Sequence, residues 1–293
     1  MNIIPSYNCN FNCPFCVVHS KADQTLLDLD WFRSELKRME HIDHLNIIGG
    51  EPTQLDEKYL EELIDICTAK LGRKPSLYTN LSRISPLFKK VELNVSFNPG
   101  ITQSAGEVKK NLLLLDQPFN INMILTNKLA EGGIDKLKSF LRLGNLKQLS
   151  VSRYTNFGGP DFTPTKEQYL NFTKGLTSLA LKDSRIHFYP ISSQISQRTR
   201  DNTALACAEV LPNNKYRISI RDFYRDLGDT VFNEYDTWEE LSHAYAQLNT
   251  KRIWSRASCN DCRFNQACLC LFKDRTDCEA MEQIEKQIRE AQQ

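Results

Sequence analysis

An α/β fold on a parallel sheet, with a small cysteine-rich α+β extension behind it, is predicted by three features of this 293-residue chain. Short β-like runs alternate with amphipathic helical stretches as far as about residue 192, which implies successive βα units. The runs carry polar residues on one face and apolar residues on the other. Beyond 192 the rhythm changes and cysteines crowd together. With all crossovers of one hand, about six such units curl into an open or closed barrel.

The strand runs are 2–6 "NIIPS", 45–49 "LNIIG", 76–80 "SLYTN", 91–98 "VELNVSFN", 119–126 "FNINMILT", 147–154 "KQLSVSRY" and 185–192 "RIHFYPIS". Helical patterns fill 29–40, 56–70, 106–116, 133–143 and 165–182. In 56–70, Leu60, Leu63, Ile64 and Cys67 recur at helical spacing, so Cys67 reads as a small core residue. Parallel strands buried on both faces read as continuous apolar runs, and these do not. Glu92, Asn94, Ser96 and Asn98 share one face of their strand. Asn120 and Asn122, then Gln148, Ser150, Ser152 and Tyr154, then His187 and Tyr189 repeat the pattern. An exposed antiparallel sheet face would also alternate, but the interposed helices argue against it. The polar faces are therefore expected to line a concave interior.

A polar linker, 192–203 "SSQISQRTRDNT", places a boundary near 195–204. The expected units are a main domain over 1–195, a cysteine-rich extension over 204–280 and a C-terminal helix over 281–293. Met281, Ile284 and Ile288 form the packing face of that helix. No solenoid repeat or low-complexity tract interrupts the chain.

Composition excludes several classes. Hydrophobic residues at 41% and charged residues at 25% are ordinary for a globular protein. A net charge of +1 gives no broad field for nucleic acid or anionic membrane. The N-terminus lacks the pattern of a signal peptide, and no apolar run approaches the ~18–20 residues of a membrane span. A cytoplasmic protein is expected. Ten cysteines are the anomaly, and in a reducing compartment clustered thiols bind metal or do redox chemistry.

Cys9, Cys13 and Cys16 have the spacing C-x3-C-x2-C directly after the first run. Three thiolates can hold three irons of a [4Fe–4S] cluster and leave the fourth open. The same thiolates with His19 can instead close a tetrahedral zinc site. The second run ends in Gly49-Gly50-Glu51-Pro52. Glycines permit close backbone approach to a ligand, and Glu51 is an acceptor for a ligand ammonium. In a parallel sheet this segment falls on the same rim as the cysteine loop, where ligands bind.

With Phe15 just before the third cysteine, these motifs resemble those of the radical S-adenosylmethionine (SAM) enzymes. The resemblance covers roughly residues 1–192 and implies a partial (β/α)6 barrel. It implies that Cys9, Cys13 and Cys16 bind a [4Fe–4S] cluster whose open iron is chelated by SAM, with the Gly-Gly-Glu segment at the SAM amino group. An electron, supplied by a donor such as a flavodoxin or ferredoxin, would cleave SAM to a 5′-deoxyadenosyl radical that abstracts a substrate hydrogen. His19 would then be a loop residue. The segments Tyr78-Thr79-Asn80, 95–98, 122–127 and 152–156 would line the SAM and substrate pocket, among them Ser96, Asn98, Asn122 and Ser152. Ser96, Asn98 and Ser152 are the preferred ribose and carboxylate contacts. Tyr78, Tyr154, His187 and Tyr189, on expected interior faces, are candidates for acid–base work.

The run 259–278 "CNDCRFNQACLCLFKDRTDC" packs five thiols into C-x2-C-x5-C-x-C-x7-C. A zinc ribbon is one reading. It also looks like the SPASM or twitch extensions that hold auxiliary [4Fe–4S] clusters in radical SAM enzymes. Carried over, Cys259, Cys262, Cys268 and Cys278 would ligate one auxiliary cluster. Cys207 matches an opening cysteine that has no second partner before 259, so it either stands alone or joins Cys259 and Cys262. A second auxiliary cluster is doubtful on this pattern. Cys270, at shortened spacing, is a candidate donor of a hydrogen atom or proton.

The resemblance implies oxidation, epimerisation or crosslinking of a peptide or amino-acid substrate. The alternative is dehydrogenation or rearrangement of a polar sugar- or nucleoside-type metabolite. The chain starts directly at the first strand, so no N-terminal leader-binding domain is expected. A zinc-binding interaction module is the non-enzyme reading.

Overall fold

The computed structural model describes residues 1–16, 25–40, 42–154, 161–188, 208–218, 233–244 and 276–292. Strands β1 Asn2–Ile3, β2 Asn46–Ile47, β3 Ser76–Thr79, β4 Glu92–Ser96, β5 Phe119–Leu125, β6 Leu146–Arg153 and β7 Ile186–Phe188 fall on the expected runs. They lie side by side in chain order, all parallel. Strands β8 Ala208–Val210, β9 Tyr216–Ile218 and β10 Glu234–Tyr235 extend the same sheet from the free edge of β1. Here β8 runs parallel to β1, while β9 and β10 are antiparallel to their neighbours. The molecule is thus mixed α/β on a largely parallel sheet.

The first two strands pair over only two residues each. Pro5 has no N–H to give a ladder, so pairing in the first run ends early. The second run breaks at Gly49, whose φ of +123° is open only to glycine.

Helices α1 Leu29–Arg38, α2 Glu57–Leu71, α3 Ala105–Leu114 and α6 Lys166–Ala180 occupy expected spans. Their starts are chemically marked. Asp28 accepts from the Asp30 and Trp31 amides, Asp56 from Lys58 and Tyr59, and Thr165 with Gln168 forms a capping box. Gly72, at φ +66°, ends α2. The single helix expected over 133–143 is instead α4 Asn127–Glu131, α5 Asp135–Lys138 and a 3-10 turn Phe140–Arg142. Gly132 and Gly133 separate the first two, and each glycine costs a helix interior about 1 kcal/mol. Between β3 and β4 the crossover is only a 3-10 turn, Pro86–Lys90, capped by Ser85.

The alternation of the strands sorts their two faces. Leu77, Leu93, Val95, Ile121, Leu149 and Val151 are buried on the helix side. On the other side, registration sets polar residues in rows. Tyr78, Asn94, Asn120 and Gln148 make one row, and Ser96, Asn122, Ser150 and His187 make the next. Cys67 is fully buried in α2 beside Leu63 and Ile64, and burial pushes its thiol pKa far up.

Helix α7 Thr276–Gln292 packs on α6, as its apolar face requires. Ala280, Met281, Ile284 and Ile288 are buried, and Gln283 donates to the Leu170 carbonyl at 3.3 Å. Lys166 and Glu279 pair at 2.7 Å on the rim of this contact. On the opposite edge, Tyr216 of β9 is buried between Trp31 and Trp238, at 5.5 and 5.9 Å between ring centres. Its hydroxyl donates to Glu35 of α1 at 2.7 Å.

Candidate active site

The cysteine loop leaves β1 through Pro5 and Ser6. The Ser6 hydroxyl accepts the Asn8 amide at 3.1 Å, and the Cys9 sulfur accepts the Phe11 amide at 3.4 Å. The Cys16 amide donates to the Cys13 carbonyl at 3.0 Å, which folds the second half of the loop. Cys9, Cys13 and Cys16 are all half-buried and unbridged. Burial raises the Cys9 pKa, and burial followed by the charges of Cys16 and Cys9 pushes Cys13 up to about 11.

Loops from three other strands grip this one. The Gly50 amide donates to the Ser6 carbonyl at 3.0 Å and the Glu51 amide to the Asn8 carbonyl at 2.8 Å. A Cβ on Gly50 would stand 1.9 Å from the Asn8 carbonyl oxygen, so only glycine fits. The paired glycines therefore bring the end of β2 against the stem of the cysteine loop. From the β3 side, Asn80 Nδ2 donates to Asn10 Oδ1 at 2.9 Å, and Asn10 Nδ2 donates to Ser82 Oγ at 2.9 Å. From the β4 side, Gln103 makes a reciprocal pair with the main chain of Asn12, at 2.9 and 3.1 Å. Asn10, Ser82 and Gln103 were invisible as site residues. No motif marks an amide that bonds to a backbone 91 positions away.

Glu51, expected as an acceptor for a ligand ammonium, is 2% exposed and already holds four donors. Its Oε1 accepts from the Thr53 amide, the Thr53 hydroxyl and the Thr79 hydroxyl at 3.1, 2.8 and 2.7 Å. Its Oε2 accepts the Asn80 amide at 2.6 Å. Pro52 opens the 3-10 turn Pro52–Gln54 that Glu51 caps. Desolvation raises the Glu51 pKa, and the bonds from Asn80, Thr79 and Thr53 partly offset it. This carboxylate locks the Gly-Gly-Glu segment to the end of β3.

The remaining candidates separate into groups. Phe15 meets Phe162 edge-on at 6.1 Å, and Phe162 meets Tyr154 the same way at 6.1 Å, so an aromatic chain joins the cysteine loop to the segment after β6. Phe162 was not singled out by any sequence pattern. Ser96, Asn122 and His187 lie in one polar row, and Tyr78 in the other. Ser152 and His187 are exposed, whereas Asn98 is buried and staples β4 to β5 by accepting the Ile124 amide at 2.7 Å. Asn94 Oδ1 accepts from Asn120 at 3.2 Å and Asn122 at 3.3 Å, and the Asn120 side-chain oxygen is buried without a partner. A further polar pair went unforeseen on this face. Arg217 Nε donates to buried Glu209 at 2.9 Å, and Glu209 is in register with Asn2.

His19, Tyr189, Cys207, Cys259, Cys262, Cys268 and Cys270 lie outside the described residues, as does the 192–203 linker. Cys278 lies in α7, and its side chain is not among those described. Among the described residues, no three His, Cys, Asp or Glu side chains converge on a single-ion position. A cube is a different demand, since each thiolate binds its own iron. Three half-buried, unbridged thiols in one gripped loop fit that donor chemistry. No helix among the described residues is long and apolar enough to cross a membrane.

No family model matches the chain, and no curated protein sequence matches it. Solved structures do. Native anSMEcpe with bound AdoMet and Cp18Cys peptide superposes at a TM-score of 0.73 with 16% identity, covering 100% of this chain and 98% of that one. Native anSMEcpe with bound AdoMet gives 0.74 and 17%, over 99% and 98% of the two chains. The hexahistidine-tagged form with bound AdoMet gives 0.72 and 17%, over 99% and 94%. The chain therefore shares the fold of anSMEcpe, a protein solved with AdoMet bound.

Proposed function

We propose that this chain is a radical SAM enzyme, built on a partial (β/α)6 barrel, that abstracts hydrogen from a peptide or amino-acid substrate. The observation that carries this reading is the junction of the Gly-Gly-Glu segment with the stem of the cysteine loop. Gly50 lies against Asn8 so closely that no side chain fits, and Cys9 follows at once. That contact unites both motifs at one rim of a fold shared with a protein solved with AdoMet bound.

Cys9, Cys13 and Cys16 would hold the [4Fe–4S] cluster, which when bound supplies the electron for reductive cleavage of SAM. Gly49, Gly50 and Glu51 fix the loop that carries the thiolates, with Thr79 and Asn80 as their support on β3. The aromatic chain of Phe15, Phe162 and Tyr154 would border the pocket on one side. The rows with Ser96, Asn122 and Ser150, together with Ser152 further along β6, give the pocket a hydroxyl and amide lining. Such a lining suits any polar substrate, and the peptide bound in a structure of anSMEcpe is what favours a peptide over a sugar or nucleoside. Cys259, Cys262, Cys268 and Cys278 are proposed to hold one auxiliary cluster, with Cys207 and Cys270 in supporting roles. A small electron-transfer protein is the proposed reductant.

The test follows hydrogen. Anaerobic enzyme with dithionite and SAM is offered deuterated peptides in one set and deuterated sugars or nucleosides in another. Deuterium in 5′-deoxyadenosine from a peptide supports the reading. Transfer only from the metabolites overturns the substrate class, and no 5′-deoxyadenosine from any mixture overturns the activity.

A further inference from the structure

The end of β3 carries an amide whose four hydrogen-bonding groups can all be followed. The Asn80 backbone N–H donates to Glu51 Oε2 at 2.6 Å. Its side-chain oxygen accepts the Ser82 amide at 2.9 Å, which fixes the amide plane. One side-chain N–H is directed to Asn10 Oδ1 at 2.9 Å, and Nδ2 also stands 4.0 Å from the Cys9 sulfur. A carboxamide nitrogen has two hydrogens, enough to serve both acceptors. Glu51 in turn is buried and held by Thr53 and Thr79, so the amide is fixed from behind.

We propose that Asn80 sets the reduction potential of the cluster on Cys9 by donating an N–H···S hydrogen bond to that ligand. The inference rests on the reading of the cysteine loop as a cluster site. It assigns Asn80 to the cluster's sulfur ligand, where the sequence pattern pointed to the SAM pocket. Hydrogen bonds to the sulfurs, together with net charge and burial, set the potentials of iron–sulfur clusters. A donor favours the form with more negative charge on sulfur, which is the reduced one. Removing it therefore makes one-electron reduction harder. The Phe11 amide, 3.4 Å from the same sulfur, belongs to the loop itself and is common to any variant at position 80.

The experiment is an anaerobic redox titration of the full-length protein, read by the EPR signal that changes on adding SAM. Asn80→Ala removes the donor. Asn80→Asp keeps the shape and the Ser82 bond but turns an acceptor and a negative charge toward the sulfur. Asn10→Ala removes the other partner of Nδ2 together with the Asn10 bond to Ser82 Oγ, so it loosens the loop while leaving the donor to sulfur in place. The potential is expected to fall in the order wild type, Asn80→Ala, Asn80→Asp. For Asn80→Ala the reduction equilibrium should shift by up to tenfold, which for one electron is about 59 mV. Asn10→Ala should shift the midpoint less than Asn80→Ala does. An unchanged midpoint in both position-80 variants overturns the proposal. So does an equal shift in Asn10→Ala, because that would trace the effect to loop anchoring. A wild-type protein that shows no SAM-responsive signal overturns both this inference and the functional reading beneath it.

Discussion

Glu51 shows what one residue can hold together. Its carboxylate accepts from the backbone and hydroxyl of Thr53, the hydroxyl of Thr79 and the backbone of Asn80. Glu51→Gln puts an amide nitrogen against one of those donors and leaves a buried group unsatisfied. The expected cost is about 1–3 kcal/mol, read as a lower urea midpoint at unchanged slope. The same residue gives stability a pH slope. Burial raises its folded pKa above the unfolded value, so its contribution is fullest below the ordinary carboxylate range and falls as pH rises through the raised value. Glu51→Gln should flatten that part of the profile. The motif identified Glu51 as important from its position after two glycines. Its partners were not readable, because Thr79 and Asn80 reach it only through the pairing of β2 with β3. Asn10, Ser82 and Gln103 were missed for the same reason. Their bonds are set by where three loops end, and no local pattern in the chain records that.

At the scale of elements, the segment after β2 meets the stem of the cysteine loop at Gly50, where no side chain fits. Gly50→Ala drives a methyl group into the Asn8 carbonyl, so the loop has to shift. Loss of about half of the bound iron, the share of one of the two proposed clusters, is expected after anaerobic reconstitution, measured per chain. Gly72→Ala is the control. It strains a left-handed helix end at φ +66° but meets no atom within 4 Å. It should cost about 1–2 kcal/mol of stability and leave iron content unchanged. Equal iron loss in both variants would contradict the specific role of Gly50. Strand and helix positions were legible, because alternation in "VELNVSFN" and "FNINMILT" separates a helix-packing face from a polar one. Helical spacing likewise located α2 and α7. The helix expected over 133–143 was not found whole, since the Gly132-Gly133 pair breaks what its apolar residues would otherwise continue. The polar rows were anticipated as a lining, yet Asn98 turned out to be a staple between β4 and β5.

The whole molecule ties its last segments back to its first. Strands β8 to β10 extend the sheet from β1, and Tyr216 fastens that edge to α1 through Glu35. At the far end α7 covers α6. That β8 to β10 join the main sheet was not legible, because two- and three-residue strands carry too little alternation to reveal a pairing partner. This arrangement surrounds a gripped loop of three thiols, and the central claim is that the loop holds a [4Fe–4S] cluster with one iron open to SAM. The most direct measurement is EPR of the anaerobically reconstituted, reduced protein with and without SAM, with a Cys9, Cys13 and Cys16→Ala triple variant beside it. The account predicts a [4Fe–4S] signal that SAM alters and that the triple variant lacks. Colourless protein with one zinc bound at these cysteines, or a signal unchanged by SAM, would contradict it.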